Sequence, residues 1–360
     1  MIRLIIACII SFSLSFVIWF NKETSTVYVD KTPNEWMKNS FEIFTPKEHI
    51  RPGDQTFLTF PEWFLVHSPA EEAEYFKTRT STTFPFWDHV QQLWKSYAIV
   101  SDQILDNYDF NTGYHVMILV LAVSTTVEYG AKDVYETMIG RITDTDPSVA
   151  MTEEDELNAK VTQDYVDFIR QIPWYEFDFA SALKELWMDT PLFGDHIIRK
   201  WERRYFLTSD LAVKAGYGWL IKKATKAAYE DPILGTAIVV DQALVTNDKI
   251  TFLKEVDWNH YVYLIPRYAD FNPTINSIVS SQESNVIEIA GNTSATLLTV
   301  LLKDKEALPN FQNTKTIFTQ EIITRPGERR CALVTKVENL RATLLQLQNS
   351  NIEIEHIYDF

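Results

Sequence analysis

Apolar positions recur at helical spacing through roughly the first two thirds of the chain and at strand spacing from about His260 onward. The most apolar stretch after the N-terminus is residues 113–141, GYHVMILVLAVSTTVEYGAKDVYETMIGR. Its unbroken apolar run from Val116 to Val123 is short for a bilayer span. Because apolar residues surround the axis, the stretch is expected to be the buried core helix around which the rest packs.

Ser68, Pro69 and Glu71 carry a helix-start signature: a capping hydroxyl, a proline at the first helical position and an acid three residues on. Phe86, Val90, Leu93, Tyr97, Val100 and Ile104 then recur in steps of four and three, predicting a second helix. Thr152 with Asp155 signals a capped start for a helix carrying Leu157, Val161, Tyr165 and Phe168 on one face, and Pro173 closes it. A shorter helix is predicted over 181–188. In the following segment Val213, Tyr217, Leu220, Ala224 and Ala228 form one stripe. Lys214, Lys222, Lys223 and Lys226 occupy the other half of the wheel, and Arg199, Lys200, Arg203 and Arg204 precede them.

Strands are predicted over 260–265, 286–289, 296–301, 316–323, 330–337 and 352–358. A turn at Pro326-Gly327 separates the fourth and fifth, and helices lie near Ile275 and over Leu340, Leu344 and Leu347. Two strand-helix-strand units with hairpins between them suggest a ferredoxin-like α+β domain. The predicted fold is therefore mainly α in its N-terminal region, with a C-terminal ferredoxin-like domain. The expected organisation is an anchor at 1–22, a polar tether at 23–56, an aromatic-rich helical domain at 57–245 and the α+β domain at 246–360.

The anchor rests on residues 4–20, LIIACIISFSLSFVIWF, an uncharged run of about 17 residues at the lower limit for a bilayer span. Bulky Val17, Ile18, Trp19 and Phe20 stand where a cleaved signal peptide needs small residues. Arg3 ahead of the run places the N-terminus in the cytoplasm and the bulk of the chain on the outer side of a single-pass membrane protein.

Composition adds two constraints. Forty-nine acidic against 33 basic residues give a formal charge of -16, which argues against nucleic acid as a partner. The 10 Trp, 16 Tyr and 22 Phe fit a protein with rings at a membrane interface. On such an acidic chain the basic helix, through Arg199, Lys200, Arg203, Arg204, Lys214, Lys222, Lys223 and Lys226, is a candidate for anionic headgroups.

Candidate chemistry is sparse. Glu62 sits among Phe60, Trp63 and Phe64, where desolvation would raise its pKa and suit it to general acid work, with His67 close by. His115 and Glu128 lie on the central stretch, but about 20 Å apart along a straight helix, so they cannot share one site. A plain salt bridge from Glu128 to Lys132, and a satisfied histidine at a helix start, are the competing structural roles. His67, His89, His115 and His196 could supply a metal cluster with Glu62 or Asp88, yet no diagnostic ligand spacing is present, and neither is any phosphate-loop, dinucleotide or serine-hydrolase motif. No metal or cofactor is assigned.

The expectation is a membrane-anchored envelope protein, non-catalytic, whose helical domain lies against the bilayer. Its C-terminal domain would be free to meet a protein partner or small ligand. The alternative is a membrane-bound hydrolase or metal-dependent oxidoreductase in which packing assembles Glu62, His67, His115 and Glu128.

Overall fold

The computed structural model describes residues 25–39, 42–52, 55–144, 151–226, 235–256 and 259–359. The expected anchor at residues 4–20 lies outside them. A helical N-terminal half is followed by a C-terminal half of two antiparallel sheets with helices between them.

The helical half comprises α1 (Gln55–Phe76), α2 (Phe86–Ile104), α3 (Thr112–Tyr135), α4 (Glu153–Ile169), α5 (Phe179–Met188) and α6 (Ile197–Lys226). Helix α3 continues through a π-helical turn at Glu136–Gly140 as far as Thr143. The predicted cap of α4 is present as a reciprocal capping box: the Thr152 side chain accepts from the Asp155 amide and the Asp155 carboxylate accepts from the Thr152 amide. Helix α1 corrects the expected start at Ser68, because it begins at Gln55 and runs through Pro61 and Pro69. An interior proline costs about 3 kcal/mol. Burial of Phe57, Leu58, Phe60, Phe64 and Phe76, at roughly 1.5–3 kcal/mol each, outweighs that cost. Ser68 does not cap a helix; its hydroxyl lies 2.9 Å from His89 Nδ1.

The C-terminal half repeats one arrangement. Strand β1 (Thr26–Tyr28) comes from the N-terminal segment. Then follow β2 (Gly235–Val240), β3 (Thr251–Val256), β4 (His260–Pro266), α7 (Phe271–Ser281) and β5 (Val286–Ile289). The same order, three strands, a helix and a strand, returns as β6 (Ala295–Leu302), β7 (Thr314–Glu321), β8 (Arg329–Lys336), α8 (Leu340–Asn349) and β9 (Glu353–Ile357). The four-stranded sheet is ordered β3-β4-β2-β5 and the five-stranded sheet β1-β7-β8-β6-β9. In each unit the strands stand second, third, first, fourth, and all neighbours are antiparallel. A ferredoxin-like module carries a helix in both of its crossovers. Here the described residues between the first and second strands of each unit hold no helix, so each unit has one helix where two were expected. The sequence shows no matching repeat, because the topology requires only the apolar alternation of the strands and not particular residues.

The helices α7 and α8 lie between the sheets, in a core of Ile238, Val240 and Ile265 from one sheet and Leu298, Val300 and Leu333 from the other. The opposite face of the five-stranded sheet presents Leu297, Ile317, Phe318 and Val334 to Phe60, Phe64, Leu93, Val100 and Ile118 of α1, α2 and α3. In the β7-β8 hairpin Gly327 takes the turn at φ 89°, a conformation that glycine adopts without steric cost.

Two organisational expectations change. The described part of the supposed tether at 23–56 is stitched to both sheets. Strand β1 pairs with β7, and buried Glu288 of β5 accepts from the Phe44 amide (2.6 Å), the Thr45 amide (3.0 Å) and the Thr45 hydroxyl (2.7 Å). The α+β half also begins before residue 246, since β2 occupies Gly235–Val240. That strand is apolar on both faces and so lacks the alternation that marks a half-exposed one.

The central stretch is not the buried core helix it was expected to be. Within α3 only His115, Ile118, Ala122, Tyr129 and Lys132 are buried. The helix from Thr112 to Thr143 is long and apolar enough to cross a membrane, with 22% of its most apolar window buried.

Candidate ligand cavity and apolar helix faces

Helices α3 and α6 run antiparallel side by side. Contacts descend in register from Ser124 with Tyr217, through Glu128 with Lys214 and Tyr135 stacked on Phe206, to Glu136 with Arg203. Both helices are inverted in polarity. On α3 the residues opposite its buried face are Val116, Val120, Val123, Val127, Ala131, Val134, Met138 and Ile142, at steps of three and four and all exposed. The stripe is about 39 Å long at 1.5 Å per residue. No charged residue between Thr112 and Gly140 is exposed. On α6 the outward residues include Ile198, Trp201, Tyr205, Val213, Trp219 and Leu220, and every charged residue from Arg199 to Lys222 is buried or half-buried.

The basic residues at the start of α6 are engaged within the fold, whereas Lys223 farther along is exposed. Arg199, Lys200, Arg203 and Arg204 point inward, where acids meet them. Arg199 reaches Asp155 (3.0 Å), Lys200 reaches Glu153 (2.5 Å) and Glu154 (3.1 Å), and Arg204 reaches Glu154 (2.5 Å). Arg203 holds Glu136 (2.6 Å) and Glu202. Gly140 makes room for this arrangement: a Cβ there would stand 2.0 Å from the Glu136 carboxylate. The acids that open α4 and the π-helical turn of α3 give these cations better partners than water. Their guanidinium and ammonium groups are withdrawn from any headgroup. Lys222 pairs with Glu176, and Lys223 lies over the Trp219 ring at 4.0 Å. The Lys226 side chain lies outside the described residues.

A cavity of about 710 Å³ runs between α1, α3, α4 and α6. Along α3 its wall extends from Gly113 to Lys132, about 28 Å of helix. At one end stand Gly113, Val116, Ile172, Trp174, Tyr217 and Ile221. Val116 belongs both to this wall and to the exposed stripe of α3, so the cavity opens on the apolar face. At the other end is a polar floor. Glu128 receives Lys132 (3.0 Å) and Lys214 (2.9 Å), Lys214 also holds Asp210 (3.1 Å), and Lys132 holds Glu72 (3.2 Å). Burial alone would raise the Glu128 carboxyl, but the two ammonium groups more than offset it and hold it at about 2. Its side chain is 37% exposed, and that surface belongs to the cavity. Lys132 stays cationic: burial opposes its charge, and Glu72 and Glu128 raise it well above the ordinary lysine value.

Of the four candidate catalytic residues, Glu62 and Glu128 line the same cavity near its opposite ends, while His67 and His115 face other partners. Glu62 accepts from the Tyr114 hydroxyl at 2.6 Å, near Arg267 and Asp359, and burial raises its pKa against that hydrogen bond. His67 faces Glu355 (3.7 Å), which is held by Arg330 (2.6 Å). His115 hydrogen-bonds the Tyr97 hydroxyl through Nδ1 (2.8 Å) and stacks on Phe110 (4.3 Å). Glu128 lies on the cavity floor. Burial holds both His67 and His89 at about 4, and hence neutral at pH 7. Among the described residues no three His, Cys, Asp or Glu side chains are grouped to hold a metal, so the histidine cluster considered from the sequence is not assembled. Among the residues that do converge, Asp210 on α6 and Glu72 on α1 were not identified from the sequence, and Lys214 was read there as a headgroup contact. Glu128 with Lys132 was the one legible fragment, through its four-residue spacing. No known family, no curated protein and no solved structure matches the chain.

Proposed function

We propose that the protein is a non-catalytic binding protein held against a bilayer, with the exposed faces of α3 and α6 set among lipid. The observation that carries this reading is the inverted polarity of that helix pair. A helix bathed in water normally turns its charges outward, whereas this pair turns most of its charges inward and exposes Val, Ile, Met, Trp and Tyr side chains along both helices. The apolar run at residues 4–20 puts a bilayer within reach of the fold and makes lipid the occupant of that face. Contact is hydrophobic, through Val, Ile, Trp and Tyr side chains, and not through the basic residues. The bulk of the chain lies on the outer side, and the paired-sheet half, facing water, is the part available to a protein partner.

The hydrolase or oxidoreductase alternative required Glu62, His67, His115 and Glu128 to meet; Glu62 and Glu128 stand near opposite ends of one cavity, and His67 and His115 are engaged with Glu355 and Tyr97, which speaks against it. The membrane reading is tested with spin labels placed singly at Val123, Val127 and Val134 of the full-length protein in vesicles. Labels on α3 should be reached by oxygen and shielded from a water-soluble nickel complex, while one at exposed Lys305 should show the reverse. Nickel access equal to that of position 305 would reject the proposal.

A further inference from the structure

We infer that the cavity between α3 and α6 is a binding site for a membrane amphiphile bearing one hydrocarbon chain and a head with a single positive charge. The inference rests on the bilayer-facing reading above and adds the identity of what enters from that face. A volume of about 710 Å³ lies in the range of small-molecule sites. The elongated shape, following about 28 Å of α3, suits a chain better than a compact ring system.

Chemistry along the cavity is ordered by depth. The mouth and middle are lined by Val116, Val120, Leu121, Val161, Ile172 and Tyr217, which offer a chain an apolar wall. Val116 and Val120 are part of the lipid-facing stripe, so a chain can pass from the bilayer into the cavity without crossing water. The linked cluster of carboxylates and ammonium groups lies at the far end, about 18 Å along α3 from Val116 to Glu128, while Glu62 and Arg170 stand nearer the mouth.

The floor is short of one positive charge. Three carboxylates, Glu72, Glu128 and Asp210, face two ammonium groups, Lys132 and Lys214. Of the charged groups elsewhere on the wall, Arg170 pairs with Asp167, and Glu62 accepts from the Tyr114 hydroxyl beside Arg267. A monocationic head therefore neutralises the floor, and an anionic head would add to an uncompensated negative charge in a low-dielectric site. The rings nearby favour the same sign. Phe179 already presents its face to the Lys214 ammonium at 5.8 Å, and Tyr165 packs against Phe179 at 5.6 Å.

Full-length protein in a non-ionic detergent, titrated calorimetrically with dodecylammonium, dodecanol and dodecanoate, tests the inference. Dodecylammonium should bind one to one and at least tenfold more tightly than dodecanoate, with dodecanol between them. Glu128→Gln should shrink that preference about tenfold while leaving dodecanol binding in place. Leu121→Trp, which fills the apolar part, should abolish binding of all three and keep the native circular dichroism. Should Glu128→Gln not fold, Asp210→Asn removes a floor charge from another helix and is read the same way. Equal or tighter binding of dodecanoate, or dodecylammonium binding that survives Leu121→Trp, would overturn the inference. The spin-label experiment fails independently. A water-exposed α3 with intact head selectivity sinks only the membrane reading, and a lipid-exposed α3 without head selectivity sinks only the ligand.

Discussion

Between the two sheets the buried side chains are almost all hydrocarbon, with Leu298, Val300 and Leu333 facing Ile238, Ile275 and Leu344. Among α3, α4, α5 and α6 small apolar clusters around Leu157, Leu186, Leu207 and Leu211 alternate with the buried charges of Glu136, Glu154, Asp155, Arg199, Lys200, Arg203 and Arg204, and much hydrocarbon stands outside. The first region is ordered by water, which drives apolar surface inward at about 25 cal/mol per Å². The second gains less from that force, because much of its apolar surface remains exposed in the isolated chain. In the bilayer setting proposed above, ion pairs are satisfied internally and outward hydrocarbon carries no cost.

The largest test of this contrast is Arg203→Ala. Removing a guanidinium that holds both Glu136 and Glu202 leaves the buried Glu136 carboxylate without a cation, while Glu202 keeps Arg199 at 3.2 Å. Stability by denaturant titration should fall by about 3–5 kcal/mol. If Arg203 instead served lipid headgroups, stability would hold and binding to anionic vesicles would drop. In the sheet region Leu298→Ala should cost about 2–5 kcal/mol through the cavity it opens, and Leu298→Met much less.

A pH titration probes the interface between α1, α2 and the five-stranded sheet. His67 and His89 titrate near 4 in the fold, below the unfolded value of about 6.5. Their folded pKa is depressed, so the unfolded chain binds the proton first. The stability they contribute is full above about pH 6.5 and is lost as pH falls toward 4. For fully buried His89 the loss is on the order of 3 kcal/mol, and His89→Gln should flatten that part of the stability profile. An unchanged profile would place His89 outside the titrating set. Glu355, held down to about 2 against burial by Arg330, loses its contribution in a lower window, from about 4.3 toward 2.

Smaller effects sharpen the comparison further. Thr152→Ala removes the α4 cap and should cost about 1 kcal/mol in thermal unfolding. Val127→Ser on the exposed stripe, at a side chain 67% accessible, should change stability by less than about 0.5 kcal/mol. Its effect should appear as weaker membrane association, measured by vesicle flotation after residues 1–24 are removed by a protease site placed before Ser25.

Local signals were legible wherever a residue's role depends on its near neighbours. The Thr152-Asp155 cap, helix α2, the hairpin at Pro326-Gly327, strand β5 and the Glu128-Lys132 pair could be read from spacing alone, because each is closed within a few residues. Strands β2 and β3 could not, since one is apolar throughout and the other is an exposed edge. The start of α1 was hidden by prolines whose cost is offset only by distant packing.

Spacing along the chain was enough for most of the helices, for the strands from β4 onward, and for an apolar α3 and a basic α6. Which way those two helices face was decided by tertiary structure. A helical wheel separates apolar from charged residues, but it does not say which side is inside. The acids that draw Arg199, Lys200, Arg203 and Arg204 inward lie about 45 to 65 positions away along the chain, on α4 and the π-helical turn of α3. Only the folded chain brings them together, and that meeting turns a basic surface helix into the ionic interior of an apolar-faced pair.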